Sequence, residues 1–268
     1  HIIDGVALTK FIYWLKNKTK FNITEVDAQN KLEKFRKKNS KYLFPSFQTI
    51  AGSGKNGAIV HYRAKKNSTK LLKKNEIFLC DSGGQYKFGT TDVTRTICFN
   101  NQNKKIKNIF TNVLKGHIAV VKTDLNKKKT GKLIDIEARK FLKKNGLNYN
   151  HGTGHGVGFF LNVHEGPQAI SKQNSVKIQS GMILSNEPGY YKQGKFGIRI
   201  ENLVYACKVG RNLIFKNLTL APIEKDLINY NLLTKKERDY IFDYHLEVYS
   251  KLSPYLSKKE KRWLASFI

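Results

Sequence analysis

One acid stands where a packed core leaves little room for it. In Ile198-Arg199-Ile200-Glu201-Asn202-Leu203-Val204 a carboxylate is embedded among residues that a strand would bury. An unpaired buried carboxylate is costly, so this segment demands a partner for Glu201. Strand alternation puts Arg199 and Glu201 on one face and Ile198 and Ile200 on the other. Arg199 can then sit behind an acid cluster and orient it; a surface ion pair is the plainer alternative.

Further acids raise the same question. Ile77-Phe78-Leu79-Cys80-Asp81-Ser82-Gly83-Gly84 is an apolar strand ending in a carboxylate and small residues. After turn residues comes Gly89-Thr90-Thr91-Asp92-Val93-Thr94-Arg95-Thr96. A hairpin between them brings Asp81 and Asp92 to one point, where two carboxylates repel unless a cation or proton intervenes. Turn-capping aspartates are the alternative. Glu187, in Ser185-Asn186-Glu187-Pro188-Gly189, is open to either role.

Imidazoles concentrate as the acids do. Three of the seven histidines, His151, His155 and His164, fall in one glycine-rich stretch from His151 to Pro167. Glycines around His155 allow close approach of backbone and ligand, and imidazole both binds metals and carries protons near neutral pH. Hydrogen-bonded loop histidines are the alternative. His1, His117 and His245 lie in helical or terminal contexts that suit structural roles, and His61 lies in a strand-like run whose pattern leaves its role open.

The frame around these segments reads as α+β. Apolar spacing predicts helices over Asp4–Asn17 and from a capping Thr24 onward, then short strands between Phe44 and Asn100. Helices are expected over Lys104–Lys122 and Gly131–Lys144, the second stopped by Asn145-Gly146, with a strand over Phe196–Ala206. The stretch Thr234–Ile268 reads as helical, broken at Ser253-Pro254. One domain over residues 1–268, with helices flanking a central curved sheet, accounts for this order.

Composition excludes several classes. With 40% hydrophobic residues over 268 positions the chain can bury a sizeable core, and no apolar run approaches the roughly 20 residues that span a bilayer. No export signal is visible at His1-Ile2-Ile3-Asp4-Gly5, and three cysteines form no disulfide framework, so a cytoplasmic location is expected. The net charge of +29 invites a nucleic-acid reading, but only eight of the 49 cationic residues are arginines and the lysines are spread over the whole length. Nucleic acid and membrane are therefore not expected partners.

Asp81, Asp92, His155, Glu187 and Glu201 together offer four carboxylates and one imidazole. Four negative charges in one pocket are untenable alone, whereas two divalent ions cancel them formally and can hold a bridging hydroxide as nucleophile. Oxygen-rich ligands favour manganese, cobalt or iron over a structural zinc, and manganese is the expected metal.

These motifs resemble those of the aminopeptidase P family, specifically its Xaa-Pro aminopeptidase group. The resemblance is carried by Phe47–Ile50, Gly54–Tyr62, Asp81–Gly83, Gly89–Thr96, His151–Pro167, Asn186–Tyr191 and Gly197–Asn202, and extends to Pro222–Leu233 and Trp263-Leu264. It implies the pita-bread fold, a curved antiparallel sheet flanked by helices, and removal of the amino-terminal residue of peptides with proline at position 2. Carried over position by position, Asp81, Asp92, His155, Glu187 and Glu201 are expected to hold two metal ions, with Asp92 and Glu201 bridging. His61, His151 and His164 match substrate-contacting or active-site histidines, His164 suited to the tetrahedral intermediate, and Glu187 is expected to move a proton to the leaving nitrogen. The resemblance also implies a homodimer and, because such proteins usually carry large amino-terminal domains, that this chain is the carboxyl-terminal catalytic part of a longer one. Rival expectations are a prolidase or methionine aminopeptidase of the same fold, or a metal-free relative that binds RNA or the ribosome.

Overall fold

Helical spacing near the start becomes α1 (Ile2–Lys16), which buries Leu8, Phe11, Ile12 and Leu15. Thr24 caps α2 (Glu25–Arg36): its hydroxyl accepts the Asp27 backbone N–H while the Asp27 carboxylate accepts the Thr24 N–H. The computed structural model describes residues 1–17, 22–160 and 162–268; Leu161, inside the glycine-rich histidine motif, lies outside the described residues.

The glycine-broken region that follows supplies β1 (Tyr42–Pro45), β2 (Ile50–Ser53), β3 (Ile77–Ser82), β4 (Gly84–Tyr86), β5 (Gly89–Thr90) and β6 (Val93–Cys98). β3 lies at the centre of the antiparallel ladder β2-β3-β6, with Asp81 opposite Thr94. The expected hairpin therefore forms, but its connection is more than a turn: β4 and β5 leave it to pair with each other, and β4 also pairs with β1. The run holding His61 is no strand; it forms a turn after a 3-10 segment at Gly54–Ala58.

Two helices, α3 (Lys104–Val121) and α4 (Gly131–Lys143), come next, and Gly146 at φ +67° supplies the left-handed residue that ends the second. Short strands then carry the remaining site motifs: β7 (Gly154–His155), β8 (Ala169–Ile170), β9 (Ile183–Asn186), β10 (Gly189–Lys192), β11 (Phe196–Arg199), β12 (Asn202–Val209) and β13 (Asn212–Asn217). α5 (Lys235–Leu252) and α6 (Lys258–Ala265) close the chain on either side of the Ser253-Pro254 break.

The continuous strand expected over Phe196–Ala206 is two. β11 pairs with β10, whereas β12 pairs with β9 and β13, and the chain changes ladders at Ile200-Glu201. The two-residue alternation survives the break: Ile198 and Ile200 enter the apolar core while Arg199 and Glu201 both line a cleft. The central sheet likewise is a set of short antiparallel ladders stitched by other contacts. Thr96 Oγ1 accepts the Arg199 N–H and donates to the Arg199 carbonyl, each at 3.0 Å, tying β6 to β11.

Among the described residues apolar burial is divided between two clusters. One contains Phe110, Leu114, Leu142, Leu184, Val204 and Val248; the other contains Leu8, Phe11, Leu15, Leu32, Phe78 and Ile97. The paired strands β3 and β6 contribute to both: Ile77 and Cys98, opposite each other at one end of the ladder, join the first cluster, while Phe78, Cys80, Val93 and Ile97 join the second. Polar clamps fix that frame. Asp4 and Arg36, both buried, join α1 to α2 with Arg36 Nε 2.7 Å from Asp4 Oδ1, and Tyr86 donates to the same oxygen. Arg95 is held without a carboxylate side chain, donating to the carbonyls of Thr94, Glu201, Ala221 and Pro222 and to Asn202 Oδ1. His117 and His245 are structural, as their contexts suggest: the Asn186 amide donates to the His117 carbonyl, and His245 Nε2 accepts the Ile223 N–H. Among the described residues no helix is long and apolar enough to cross a membrane.

Candidate metal centre

A cleft of about 430 Å³ is lined by Asp81, Asp92, His155, Glu187 and Glu201. Asp81 comes from the end of β3, Asp92 from just before β6 and His155 from β7; Glu187 follows β9 and Glu201 lies between β11 and β12. Glycine makes the approach possible. A Cβ at Gly154 would stand 1.9 Å from the Ser185 carbonyl, so only glycine lets β7 lie against β9 and bring His155 beside Glu187. A Cβ on Gly156 would meet the Glu165 carbonyl at 1.9 Å, and that approach draws the His164 loop inward.

His155 Nε2 is 3.4 Å from Asp92 Oδ2 and 3.5 Å from Glu187 Oε1. Its Nδ1 is 2.9 Å from the Gly156 carbonyl, a contact that fixes the ring with Nε2 toward the acids. Ligand atoms of Asp92, His155 and Glu201 all lie within 4.8 Å of one another. The Ser185 hydroxyl accepts the His155 N–H and donates to Glu187 Oε1, while the Thr94 hydroxyl donates to Glu201 Oε2 at 2.7 Å.

Arg199 takes the place behind the acids, but its carboxylate partner is Asp81: Nη2 donates to Asp81 Oδ2 at 2.6 Å. The surface ion pair is thereby excluded, since Arg199 is buried. Its Nη1 donates to the Tyr191 hydroxyl, which is 2.8 Å from His151 Nε2, and His151 Nδ1 is 2.6 Å from the Gly152 carbonyl. His151 thus enters the cleft as part of a relay to Asp81, with both ring nitrogens engaged. His164 packs against His155 with ring centroids 3.8 Å apart and the planes tilted by 45°, and His61 completes the wall.

Crowded acids hold protons that isolated acids release. Burial, opposed by Arg199 and reinforced by Asp92, pushes Asp81 up to about 6. Burial also pushes Glu187 up to about 7 against the pull of His155, and it drives Glu201 well above the carboxylate range with help from Asp92. For His155 burial acts downward, but the hydrogen bond to Asp92 and the charge of Glu187 win and push it up to about 9. His151 falls to about 4 and His164 also falls, burial being the main cause in both. A buried set with this appetite for positive charge has the capacity to hold divalent cations.

A second cluster shows what satisfied acids look like. Cys98, Glu224 and Asp226 also bring possible ligand atoms together, yet Lys16 Nζ already sits among them, donating to Glu224, Asp226 and the Cys98 carbonyl at 2.9–3.0 Å. The ammonium supplies the cation there. Sequence reading missed this lysine and also the support behind His151, where Arg139 pairs with Asp135 and donates to the His151 carbonyl. Asp135 Oδ1 accepts from Thr153. The available signal was Asp135 and Arg139 at i,i+4 on a helix, a spacing far more common on solvated faces.

An antiparallel α+β frame that closes four carboxylates and an imidazole into one cleft defines a metallohydrolase-type architecture. Residues 1–207 match the model of metallopeptidase family M24, and residues 211–266 match the C-terminal region of peptidase M24. The chain belongs to metallopeptidase family M24 and has its pita-bread fold. It is 46% identical to an uncharacterized peptidase of Schizosaccharomyces pombe, covering 99% of this chain and 46% of that protein. It is 45% identical to a protein of Laccaria bicolor named "Probable Xaa-Pro aminopeptidase P", over 96% of this chain and 42% of the relative. The crystal structure of X-prolyl aminopeptidase from Caenorhabditis elegans, described as a cytosolic enzyme with a di-nuclear active site, superposes with a TM-score of 0.94 at 36% identity, covering 99% of this chain and 46% of that one. Prolidase from Pyrococcus furiosus is more distant, with a TM-score of 0.70 at 28% identity over 81% of this chain and 62% of that one. The chain spans about half the length of the curated relatives it matches.

Proposed function

We propose that this chain is the catalytic unit of a dimetal Xaa-Pro aminopeptidase, which removes the first residue of peptides whose second residue is proline. The observation that carries this reading is the gathering of Asp81, Asp92, His155, Glu187 and Glu201 around one cleft. The donor set fits divalent metal: Asp81 Oδ1 is buried with no hydrogen-bond partner, and Asp92, His155 and Glu201 present ligand atoms to a common point. Asp81, Asp92, His155, Glu187 and Glu201 would hold two ions, Asp92 and Glu201 reaching both, with manganese favoured by the oxygen donors. When bound, two such ions acidify a water shared between them enough to make it a nucleophile at neutral pH.

The chain's own groups supply the remainder. The acids receive the free amine of the peptide, which restricts attack to the first bond. Phe47, Ile50, Val60 and Val163 give the cleft an apolar wall suited to a pyrrolidine ring. His164, neutral at pH 7 because its pKa is lowered, donates an N–H toward the oxyanion that develops at the carbonyl carbon. Glu187 hands a proton released by the attacking water to the leaving imino nitrogen, and His61 contacts the peptide from the rim. A cytoplasmic enzyme assembled as a homodimer, this chain forming the carboxyl-terminal domain, completes the reading. The family match and the concentrated donor set favour it over a metal-free RNA-binding role.

Substrate choice tests it. The metal-loaded protein is expected to cleave an Xaa-Pro-Yaa tripeptide faster than an Xaa-Pro dipeptide or a Met-Ala peptide; preference for the dipeptide would instead mark a prolidase. Proton linkage gives an independent check. At pH 7 Glu201 and His155 each carry a proton and Glu187 carries one about half of the time, and metal must displace them, so manganese binding should release roughly two to three protons and tighten as pH rises from 6 to 9. Calorimetry in two buffers of different ionisation enthalpy reads this number, and no release would contradict the shared site.

A further inference from the structure

Glu25 is fully buried at the start of α2, and its side-chain contacts are hydrogen-bond donors from one loop. Its carboxylate accepts the Ser53 N–H at 2.7 Å, the Asn56 amide at 3.0 and 3.1 Å, the Tyr62 hydroxyl at 2.8 Å and the Lys70 N–H at 3.1 Å. These bonds pin the chain from Ser53 to Lys70 against the body of the protein. Tyr62 is drawn down to Glu25, while its two neighbours, His61 and Arg63, line the metal cleft.

Two arginines lie on that cleft, and their situations are opposite. Arg199 is buried and committed to Asp81, Thr94 and Tyr191. Arg63 is exposed, and among the described residues no carboxylate or carbonyl bonds its guanidinium. The cleft is therefore acidic at its floor and carries a free planar cation on its wall. A short peptide is charged in the complementary sense, with an amine at one end and a carboxylate at the other. With the amine taken by the acids, the carboxyl side meets the wall, and a guanidinium matches a carboxylate with two parallel N–H donors.

Resting on the aminopeptidase reading, we infer that Arg63 is a specificity-determining residue that binds a carboxylate of the peptide on the far side of the cleaved bond. That carboxylate is either the C-terminus of a tripeptide or an acidic side chain following proline. The Glu25-anchored loop holds the receptor in place before the peptide arrives, which limits the ordering cost of binding.

The test uses the metal-loaded protein and three peptides: Xaa-Pro-Ala with a free C-terminus, the same peptide amidated, and amidated Xaa-Pro-Glu. The free acid, the glutamyl amide or both should exceed the alanyl amide in kcat/KM by about tenfold. Whichever exceeds it identifies the source of the carboxylate. The advantage should lie in KM, because the contact is remote from the reacting bond and is made equally in the ground and transition states. In Arg63→Gln the ratios should fall to near one, and Arg63→Lys should keep part of them. Equal turnover of all three peptides by the wild type, or ratios that survive Arg63→Gln, would overturn the assignment and leave the aminopeptidase intact; failure to cleave any of them would remove the underlying reading as well.

Discussion

Asp92→Asn should reduce kcat/KM for an Xaa-Pro-Yaa tripeptide by about a thousandfold or more, the scale on which catalytic electrostatics is lost when a preorganised charged group is removed. Asp92 faces His155 Nε2 at 3.4 Å and shares a 4.8 Å neighbourhood with Glu201, so its loss strikes the point where the donor atoms converge. The fold should survive. Asp92 is one of the charges that raise Asp81, Glu187 and Glu201, and its removal relieves repulsion in the metal-free protein. The variant is therefore expected to melt, without metal, at least as high as the wild type. Retained activity would break the proposed ligand role, whereas lost activity with a collapsed melting temperature would point to a structural one.

Asp4→Ala should produce the largest loss of stability. The substitution strands the buried Arg36 guanidinium, whose remaining contact in this cluster is the Ser82 carbonyl at 3.4 Å. Breaking a buried pair from one side costs about 3–5 kcal/mol, which lowers the melting temperature of a protein of this size by roughly 10 °C. Replacing both members with apolar residues should recover most of that loss, since no charge is then left unpaired. The pH dependence has a definite sign. Burial raises the Asp4 pKa, but the charge and hydrogen bonds of Arg36 and the bond from Tyr86 outweigh it, leaving the group below its ordinary 3.8. Its stabilisation is present above that value and disappears as pH falls through the lower folded one, so wild type and variant should converge in acid. A constant difference down to pH 2, followed by thermal melts, would show that packing rather than charge accounts for the loss.

Much of the frame was legible from short-range pattern. Apolar spacing located α1, α3, α4 and α5, Thr24 announced α2, and Asn145-Gly146 marked the end of α4. Alternation placed Arg199 and Glu201 on one face even though the strand assumed there breaks in two. Glutamate in an apolar run and histidine among glycines were visible as local conflicts, and all five acids and imidazoles so marked line one cleft. His61 was less legible because a turn and a short strand share the same few apolar residues.

Local rules reach about one helical turn or one strand neighbour, and within that reach residue order alone settles helix, strand and face. The partner of a buried charge obeys no such limit. Arg199 meets Asp81 from 118 positions away, Lys16 closes on Glu224 across 208, and Arg36 reaches Asp4 across 32. Each of these cations had several acids within the same composition to choose from, and nothing in the spacing ranks them. Folding ranks them, because desolvation penalises every arrangement in which a buried charge is left without its counterpart. That is why one acid cluster is neutralised by an internal lysine while the other, where Arg199 meets Asp81 alone, is the one proposed to take its cations from solution.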